Sequence, residues 1–225
     1  QFSLRACGIG LVAILSMQAQ GAATQSAPGL LDMASLFSGA QGMVRDSNAD
    51  GIADVVAARI IVPDTPSKED SLAAANIAGR LGFETSALSL PLVLRQAEVT
   101  QPASVEVPIL IGRTNRFVVA LADKGEIDLS TLEAGQGLVA VVRSPLGGGP
   151  GLVVVGGDDE GTLAAGIEVA ARLPRVWGMT GITLAGIAEQ VSSHLQKSGV
   201  TPRQVSVRAL VVDRLGAISP WTRTT

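Results

Sequence analysis

The sequence predicts an α/β fold in which strand-helix units build a layered, mixed sheet, preceded by a signal peptide. Short runs of β-branched and aliphatic residues at 55–62, 107–111 and 151–155 have the length and composition of buried strands. A segment with alanine and leucine at helical spacing, 68–81, lies between the first two of these runs. This alternation is typical of a sheet that is covered by helices.

The composition is that of a folded protein with an apolar core. Of the 225 residues, 47% are hydrophobic and 16% are charged, and the roughly 200 residues left after signal removal suffice for one core of ordinary size or two small ones. The net charge of -3 and the scattered lysines and arginines offer no basic stripe, so we expect no nucleic-acid partner. Aromatic residues make up only 3% of the chain and tyrosine is missing, so any binding face should be mostly aliphatic and polar.

Residues 1–23 are predicted to be a secretion signal. Arg5 precedes an apolar run, Ala6–Met17, and small residues follow it. The run is too short to span a bilayer, so we expect its removal, no membrane span afterwards, and a periplasmic or secreted location. Cys7, the only cysteine, would leave with the signal, and the mature chain would form no disulfide. Because the chain opens with Gln1 and not with Met, we expect it to be a fragment of a longer protein.

The rest of the chain is predicted to comprise an N-terminal segment, 24–54, and an α/β domain, 55–225. Apolar residues at helical spacing predict a short helix or a pair of turns over 28–44. The expected elements of the domain are, in chain order, a strand at 55–62, a helix at 68–81, strands at 87–94 and 107–111, a helix at 114–122, strands at 137–143 and 151–155, helices at 163–173 and 183–197, and a strand at 204–212.

The ends of these elements carry residues that start and stop helices and strands. Pro63 closes the first strand, acidic residues lie in the first turn of the 68–81 helix, and Gly82 follows that helix. Thr114 opens the next helix. The glycine- and proline-rich segment Ser144–Pro150 predicts a hairpin loop between the two strands that it joins, and an antiparallel pair of this kind makes the sheet mixed.

The polar loop from Asp46 to Asp54 matches most of a calcium-binding loop. Oxygen-bearing side chains occupy positions one, three, five and nine, and Gly51 occupies position six, where such loops turn sharply. The twelfth position, which normally supplies a bidentate carboxylate, is Ala57. The alternative is a polar surface turn whose Asp and Asn side chains bond their own main chain. Bound calcium would stiffen the loop and take no part in chemistry. The predicted calcium ligands are Asp46, Asn48, Asp50, Ile52 and Asp54.

The passage Gly156–Thr162 connects a predicted strand to a predicted helix and superficially matches a nucleotide-phosphate loop. Asp158, Asp159 and Glu160 would occupy the positive end of the helix dipole and repel a phosphate. We therefore expect N-capping at this point instead of a phosphate cradle.

The inventory of catalytic side chains is small. His194 is the only histidine, no Gly-x-Ser-x-Gly pattern occurs, and the only cysteine lies in the predicted signal. Neither a Ser-His-Asp nor a Cys-His site has support, a zinc site with two histidines is excluded, and we expect His194 to be solvated. Paired carboxylates remain an alternative, with Asp158 and Asp159 as the candidates.

Three motifs between Val55 and Gly178 carry a family resemblance. They are Arg59–Pro63 before an alanine-rich helix, Ile109–Asn115, and Leu152–Gly157 continuing through Gly161-Thr162-Leu163 to Trp177. Their order resembles that in the small α/β domain which precedes the catalytic barrel in hexosaminidase-like and glucuronidase-like glycoside hydrolases. The resemblance implies a domain that is not itself catalytic. A similar order occurs in periplasmic subunits of bacterial cellulose synthases, which bind or guide polysaccharide.

These observations favour an exported, non-catalytic accessory or binding module of a larger envelope or carbohydrate-active protein. Its expected partners are a polysaccharide or a downstream catalytic domain. The alternatives are a carboxylate-dependent hydrolase domain and a self-assembling envelope protein.

Overall fold

The computed structural model describes residues 33–37, 42–172, 184–202, 205, 207–213 and 218–220. The predicted signal at 1–23 lies outside these residues, as do Trp177 and Gly178 at the end of the family resemblance.

Nine strands form two sheets among the described residues. They are β1 (Val44–Arg45), β2 (Val55–Val56), β3 (Ala58–Val62), β4 (Val93–Arg95), β5 (Val107–Ile111), β6 (Gln136–Val142), β7 (Gly151–Gly156), β8 (Ala209–Asp213) and β9 (Ile218–Pro220). A two-stranded antiparallel sheet pairs β1 with β2, and a seven-stranded sheet has the order β4-β3-β5-β7-β6-β8-β9. Strands β3, β4, β5 and β7 run parallel, whereas β6, β8 and β9 pair in antiparallel fashion. The predicted mixed sheet is therefore confirmed.

Helices lie on both faces of the large sheet. The described α-helices are α1 (Met33–Phe37), α2 (Lys68–Phe83), α3 (Arg116–Asp123), α4 (Asp159–Arg172) and α5 (Leu184–Lys197). Helix α2 buries Ala73, Ala74, Ile77 and Leu81 in one core cluster, and α3 buries Val118 in a second cluster. Helices α2 and α4 pack so closely that a Cβ on Gly166 would lie 2.5 Å from the Ala73 Cβ.

The two core clusters lie on opposite faces of the sheet because side chains alternate along each strand. In β5, Ile109 and Ile111 belong to the cluster on the α2 side, and Leu110 belongs to the cluster on the α3 side. All five residues of β5 are buried, as expected for a central strand that is covered on both faces. The run 107–111 is continuously apolar for this reason.

The short helix predicted within 28–44 is present among the described residues, but it covers only part of that segment. Helix α1 has only five residues, and Val44 begins a strand that pairs with Val56. Met33, Phe37 and Met43 are buried in the same core cluster as α2. Their apolar spacing therefore reflects burial of a short helix followed by a strand, because both kinds of element have to cover the sheet.

Three other predicted boundaries need correction. The predicted strand at 87–94 is reduced to Val93–Arg95, because the residues before it form a loop after α2. The predicted strand at 55–62 is interrupted at Ala57, whose N–H donates to the Met43 carbonyl. Helix α4 begins at Asp159 and not at 163, so the acidic residues Asp159 and Glu160 form its first turn. The hairpin between β6 and β7 is confirmed.

Candidate functional site

Strands β3 and β5 are neighbours whose following helices lie on opposite faces of the sheet. In open α/β sheets, ligands bind outside the carboxyl ends of the strands at such a switch point. The loops that follow β3, β4, β5 and β7 meet at this edge, which we call the carboxyl edge. It is the first place where a functional site is expected.

A hydrogen-bond network closes the carboxyl edge between β4, β3 and β5. The Gln96 side chain donates to the Asp64 carboxylate at 3.0 Å, and the Ala97 N–H donates to the same carboxylate at 2.9 Å. The Gln96 side-chain oxygen accepts from the Arg116 N–H at 2.7 Å, at the first residue of α3. The hydrogen bond from Gln96, followed by that from Ala97, lowers the pKa of Asp64. These polar groups hold three loops together.

Asn115 lies at the centre of this edge and is fully buried. Its side-chain oxygen accepts from the Phe117 N–H at 3.1 Å, which caps the N-terminus of α3. Its amide nitrogen donates to the Ile61 carbonyl at 2.9 Å and to the Ile111 carbonyl at 3.2 Å. Asn115 therefore joins β3, β5 and α3, and all of its polar atoms are used for structure.

Asp70 is a buried carboxyl group at the start of α2 and has a relative exposure of 4%. It forms a capping box with Ser67: the Ser67 hydroxyl oxygen accepts from the Asp70 N–H at 3.0 Å, and the Asp70 carboxylate accepts from the Ser67 N–H at 3.2 Å. Gly112 has φ +91°, and a Cβ there would lie 2.8 Å from both carboxylate oxygens. A side chain at position 112 would therefore displace Asp70.

Burial raises the pKa of Asp70, and the nearby charge of Asp159 raises it further, although hydrogen bonds from Ser67 oppose the shift. The structure thus brings together two carboxyl groups from the first turns of α2 and α4. Asp158 and Asp159 are the pair that the sequence predicts, and Asp70 is missed by that prediction. The Ser67-x-x-Asp70 spacing preceding an apolar helix was the signal for its cap.

Asp158 caps α4 and also holds a neighbouring turn. Its carboxylate accepts from the Gly161 N–H at 2.8 Å and from the Gly135 N–H at 2.9 Å. The predicted N-capping is confirmed. The Arg113 guanidinium donates to the Gly157 carbonyl at 3.2 Å and thereby joins the loops after β5 and β7.

The glycines of the 156–161 passage allow close packing of backbone against backbone. A Cβ on Gly156 would lie 2.2 Å from the Asp158 carbonyl oxygen, and one on Gly157 would lie 2.2 Å from the Glu133 carbonyl oxygen. A Cβ on Gly161 would lie 2.1 Å from the Gln136 carbonyl oxygen. These contacts explain the glycine-rich pattern without a bound phosphate.

The loop from Asp46 to Asp54 is closed by the β1–β2 hairpin and is folded around its own oxygen atoms. The Asp46 carboxylate accepts from the N–H of Gly51 at 2.7 Å and from that of Asp50 at 3.3 Å. The Asn48 side-chain oxygen accepts from the Asp50 N–H at 3.0 Å. These are the self-bonded turns named above as the alternative to a calcium site, and they also place the oxygens of positions one, three and five in one turn.

The end of this loop is anchored to the chain after α2. The Ala53 carbonyl accepts from the Ser86 N–H at 2.9 Å and from the Thr85 hydroxyl at 3.2 Å. Asp54 accepts from the Ser47 hydroxyl at 2.7 Å and from the Ser47 N–H at 2.8 Å, and these two bonds lower the pKa of Asp54. The loop is therefore fixed at both ends.

The described residues contain no group of three or more His, Cys, Asp or Glu side chains arranged to hold a metal ion. The predicted ligand set also relies on Asn48 and Ile52, which supply oxygen atoms but are not among those four residue types. His194 is exposed in α5. No helix in the described part of the chain is long and apolar enough to cross a membrane.

Comparison with models of protein families finds no match to this chain. The comparison with curated proteins likewise finds no similar sequence. The chemistry of the carboxyl edge and of the 46–54 loop is therefore the basis for assigning a function.

Proposed function

We propose that this chain is an exported, non-catalytic accessory or binding module of a larger envelope or carbohydrate-active protein, and that calcium stiffens its 46–54 loop. Its partner would be a polysaccharide or a downstream catalytic domain. The observation that carries the proposal is the use of polar side chains at the carboxyl edge as structural ties. Asp64, Gln96 and Asn115 bond the loops and strand ends of the fold to one another.

This use of polar groups is unlike that in an active site. A catalytic carboxylate or amide has to reach the substrate, and a ligand pocket needs polar groups that converge on open space. At this edge, Asn115 is fully buried and directs its amide at two strand carbonyls, and Asp158 binds the N–H groups of Gly135 and Gly161. A module of this design would use another face for binding.

A turnover assay tests the non-catalytic part of the proposal. The purified chain is incubated with chromogenic glycosides and with soluble polysaccharides, and product release is compared with that of the Asp159→Asn variant. We expect both proteins to match the buffer blank. Turnover by the wild-type chain that disappears in the variant would contradict the proposal.

A carboxylate-dependent hydrolase is the second candidate, because of the pair of carboxyl groups at the starts of α2 and α4. Asp70 has a raised pKa and would be the general acid, and the exposed Asp159 would be the second carboxyl group. The capping box of Asp70 and its burial against Gly112 favour a structural role instead. The assay above decides between the two because Asp159 belongs to this pair.

Calcium binding is the second part of the proposal. A cation with oxygen ligands would replace the N–H groups that now satisfy Asp46, Asn48 and Asp50, and it would offset the repulsion between the Asp46 and Asp50 carboxylates. Isothermal titration of calcium into the chelator-treated chain should give saturable heat that is lost in Asp50→Asn. Absence of heat at millimolar calcium would remove the site. Asp123→Asn, a change on an exposed residue at the end of α3, is the matched control and should leave the heat unchanged.

A further inference from the structure

Large apolar side chains are exposed around the C-terminal end of α2. Of the nine such side chains in the described residues, five belong to this region. We call them the α2-end patch: Ile52 (55% exposed), Phe83 (60%), Leu88 (46%), Leu90 (77%) and Val93 (37%). Monomeric proteins rarely expose such a group of apolar residues, and contiguous patches of this kind mark interaction sites.

Contacts and strand register place four of the five residues around one helix end, and Leu90 lies in the chain segment between Leu88 and Val93. Phe83 is the last residue of α2, and Leu88 packs within 3.5 Å of the position that a Cβ on Gly82 would take. Val93 is in register with Ile60, whose side chain belongs to the core on the α2 side, so Val93 points to that side as well. Ile52 precedes Ala53, whose carbonyl accepts from Ser86.

The loop beside the patch is negatively charged. The 46–54 loop carries three carboxylates, and the Arg80 guanidinium, which lies 5.5 Å from the centre of the Phe83 ring, is paired with Glu84. The nearby Arg45 guanidinium is paired with Glu106 at 2.8 Å, so it adds no net positive charge. A partner that covers the patch therefore gains if it places basic groups opposite the loop.

The edge strand itself is a poor place for a second strand to pair. Strand β4 has only three residues, and the Arg95 N–H donates to the Glu98 carboxylate at 2.6 Å. Short edge strands and blocked donors prevent pairing with another chain. These features disfavour assembly of two copies by strand addition and favour a side-chain interface on the patch.

We propose that the α2-end patch docks a peptide segment of another protein that presents apolar side chains flanked by lysine or arginine. The apolar side chains cover Phe83, Leu88 and Leu90, and the basic flanks face Asp50 and the rest of the 46–54 loop. The inference goes beyond the proposed function and applies to the loop without calcium, because bound calcium would offset most of the negative charge that the basic flanks face.

Fluorescence anisotropy tests the inference with the whole chain in EDTA, which keeps divalent cations off the loop. The probe is a labelled 14-residue amphipathic peptide of leucine and lysine, and the matched probe replaces each lysine with glutamate. We expect saturable binding of the lysine probe alone. Phe83→Ser and Leu90→Ser should each weaken it about tenfold, as expected for loss of an apolar anchor.

The control variants change apolar residues that are exposed elsewhere. Val119 lies on α3 and is 42% exposed, and Ile167 lies on α4 and is 51% exposed. The variants Val119→Ser and Ile167→Ser should leave the affinity for the lysine probe within about twofold of wild type. Equal weakening by patch and control variants would overturn the proposal, as would binding of the glutamate probe with equal affinity. Self-association in sedimentation that the patch variants abolish would assign the patch to a second copy of the chain and would overturn the proposal. Binding to phosphatidylglycerol vesicles that the patch variants abolish, without peptide binding, would assign it to a lipid surface and would also overturn the proposal.

Discussion

Replacement of Gly161 by alanine should destabilise the fold. Gly161 lies in the first turn of α4, and the Cβ of an alanine there would lie 2.1 Å from the Gln136 carbonyl oxygen and 2.6 Å from its carbon. Ordinary contacts between such atoms begin at about 3.5 Å, so the start of α4 would have to move away from the sheet by about 1 Å or more. The atoms involved belong to the backbone of β6 and cannot rotate away.

The expected cost follows from two opposing effects. Overpacking of a close contact costs about 1–3 kcal/mol and occasionally more. Alanine is a better helix former than glycine by up to about 1 kcal/mol, which offsets part of the cost. We therefore expect Gly161→Ala to lower the free energy of unfolding by about 2 kcal/mol, which corresponds to a fall in Tm of about 4–8 °C for a chain of this size.

Urea and thermal unfolding followed by circular dichroism measure this change. The matched control is Gly79→Ala, because Gly79 is exposed in α2 and a Cβ there would meet nothing within 4 Å. The control should be more stable than wild type by about 0.5–1 kcal/mol. A Gly161→Ala variant as stable as wild type would refute the packing explanation and would return the glycine-rich passage to consideration as a ligand loop.

Three further changes have defined outcomes. Asn115→Ala should lower the free energy of unfolding by about 2–4 kcal/mol in urea titrations, because it removes a helix cap and leaves buried carbonyl groups without a donor; a loss below about 1 kcal/mol would show that water replaces the amide. Burial raises the pKa of Asp70, so its contribution to stability is present below the ordinary aspartate pKa and is lost as the pH rises through the raised value. Asp70→Asn should therefore gain stability relative to wild type between about pH 4 and pH 7, and a relative loss over that range would contradict the assigned cause. Ser47→Ala should raise the pKa of Asp54 toward its ordinary value in an NMR titration, because it removes the bond from the hydroxyl, and an unchanged pKa would show that this bond is not formed in solution.

The buried strands were predictable because a strand that is covered on both faces needs a continuously apolar sequence. The segment 107–111 is covered on both faces and is apolar throughout, so its assignment did not depend on its neighbours. The start of β4 was not predictable in this way. Residues 87–92 have strand-like composition, but Thr85 and Ser86 bond to Ala53, which holds the chain after α2 in a loop. Ser86 and Ala53 are 33 residues apart in the sequence. No local sequence pattern predicts a contact over that separation.

The candidate site was predictable only in part. The capping role of Asp158 followed from acidic residues at the start of a helix, where the dipole and the free N–H groups favour them. The role of Asn115 could not be predicted from the sequence, because its partners are carbonyl groups of two strands that become neighbours only when the chain folds. The burial of Asp70 likewise depends on the approach of Gly112 from another loop. Spacing along the chain carries no information on such contacts.

Amide hydrogen exchange at the carboxyl edge tests most directly whether its polar side chains tie the fold together. The N–H groups of Ala97, Arg116, Gly135 and Gly161 each donate to a side-chain oxygen of Asp64, Gln96 or Asp158. In a ¹⁵N NMR exchange experiment, we predict that all four are strongly protected and that Gln96→Ala exposes Ala97 and Arg116 alone. Rapid exchange of all four in the wild-type chain would show an open edge and would contradict the account.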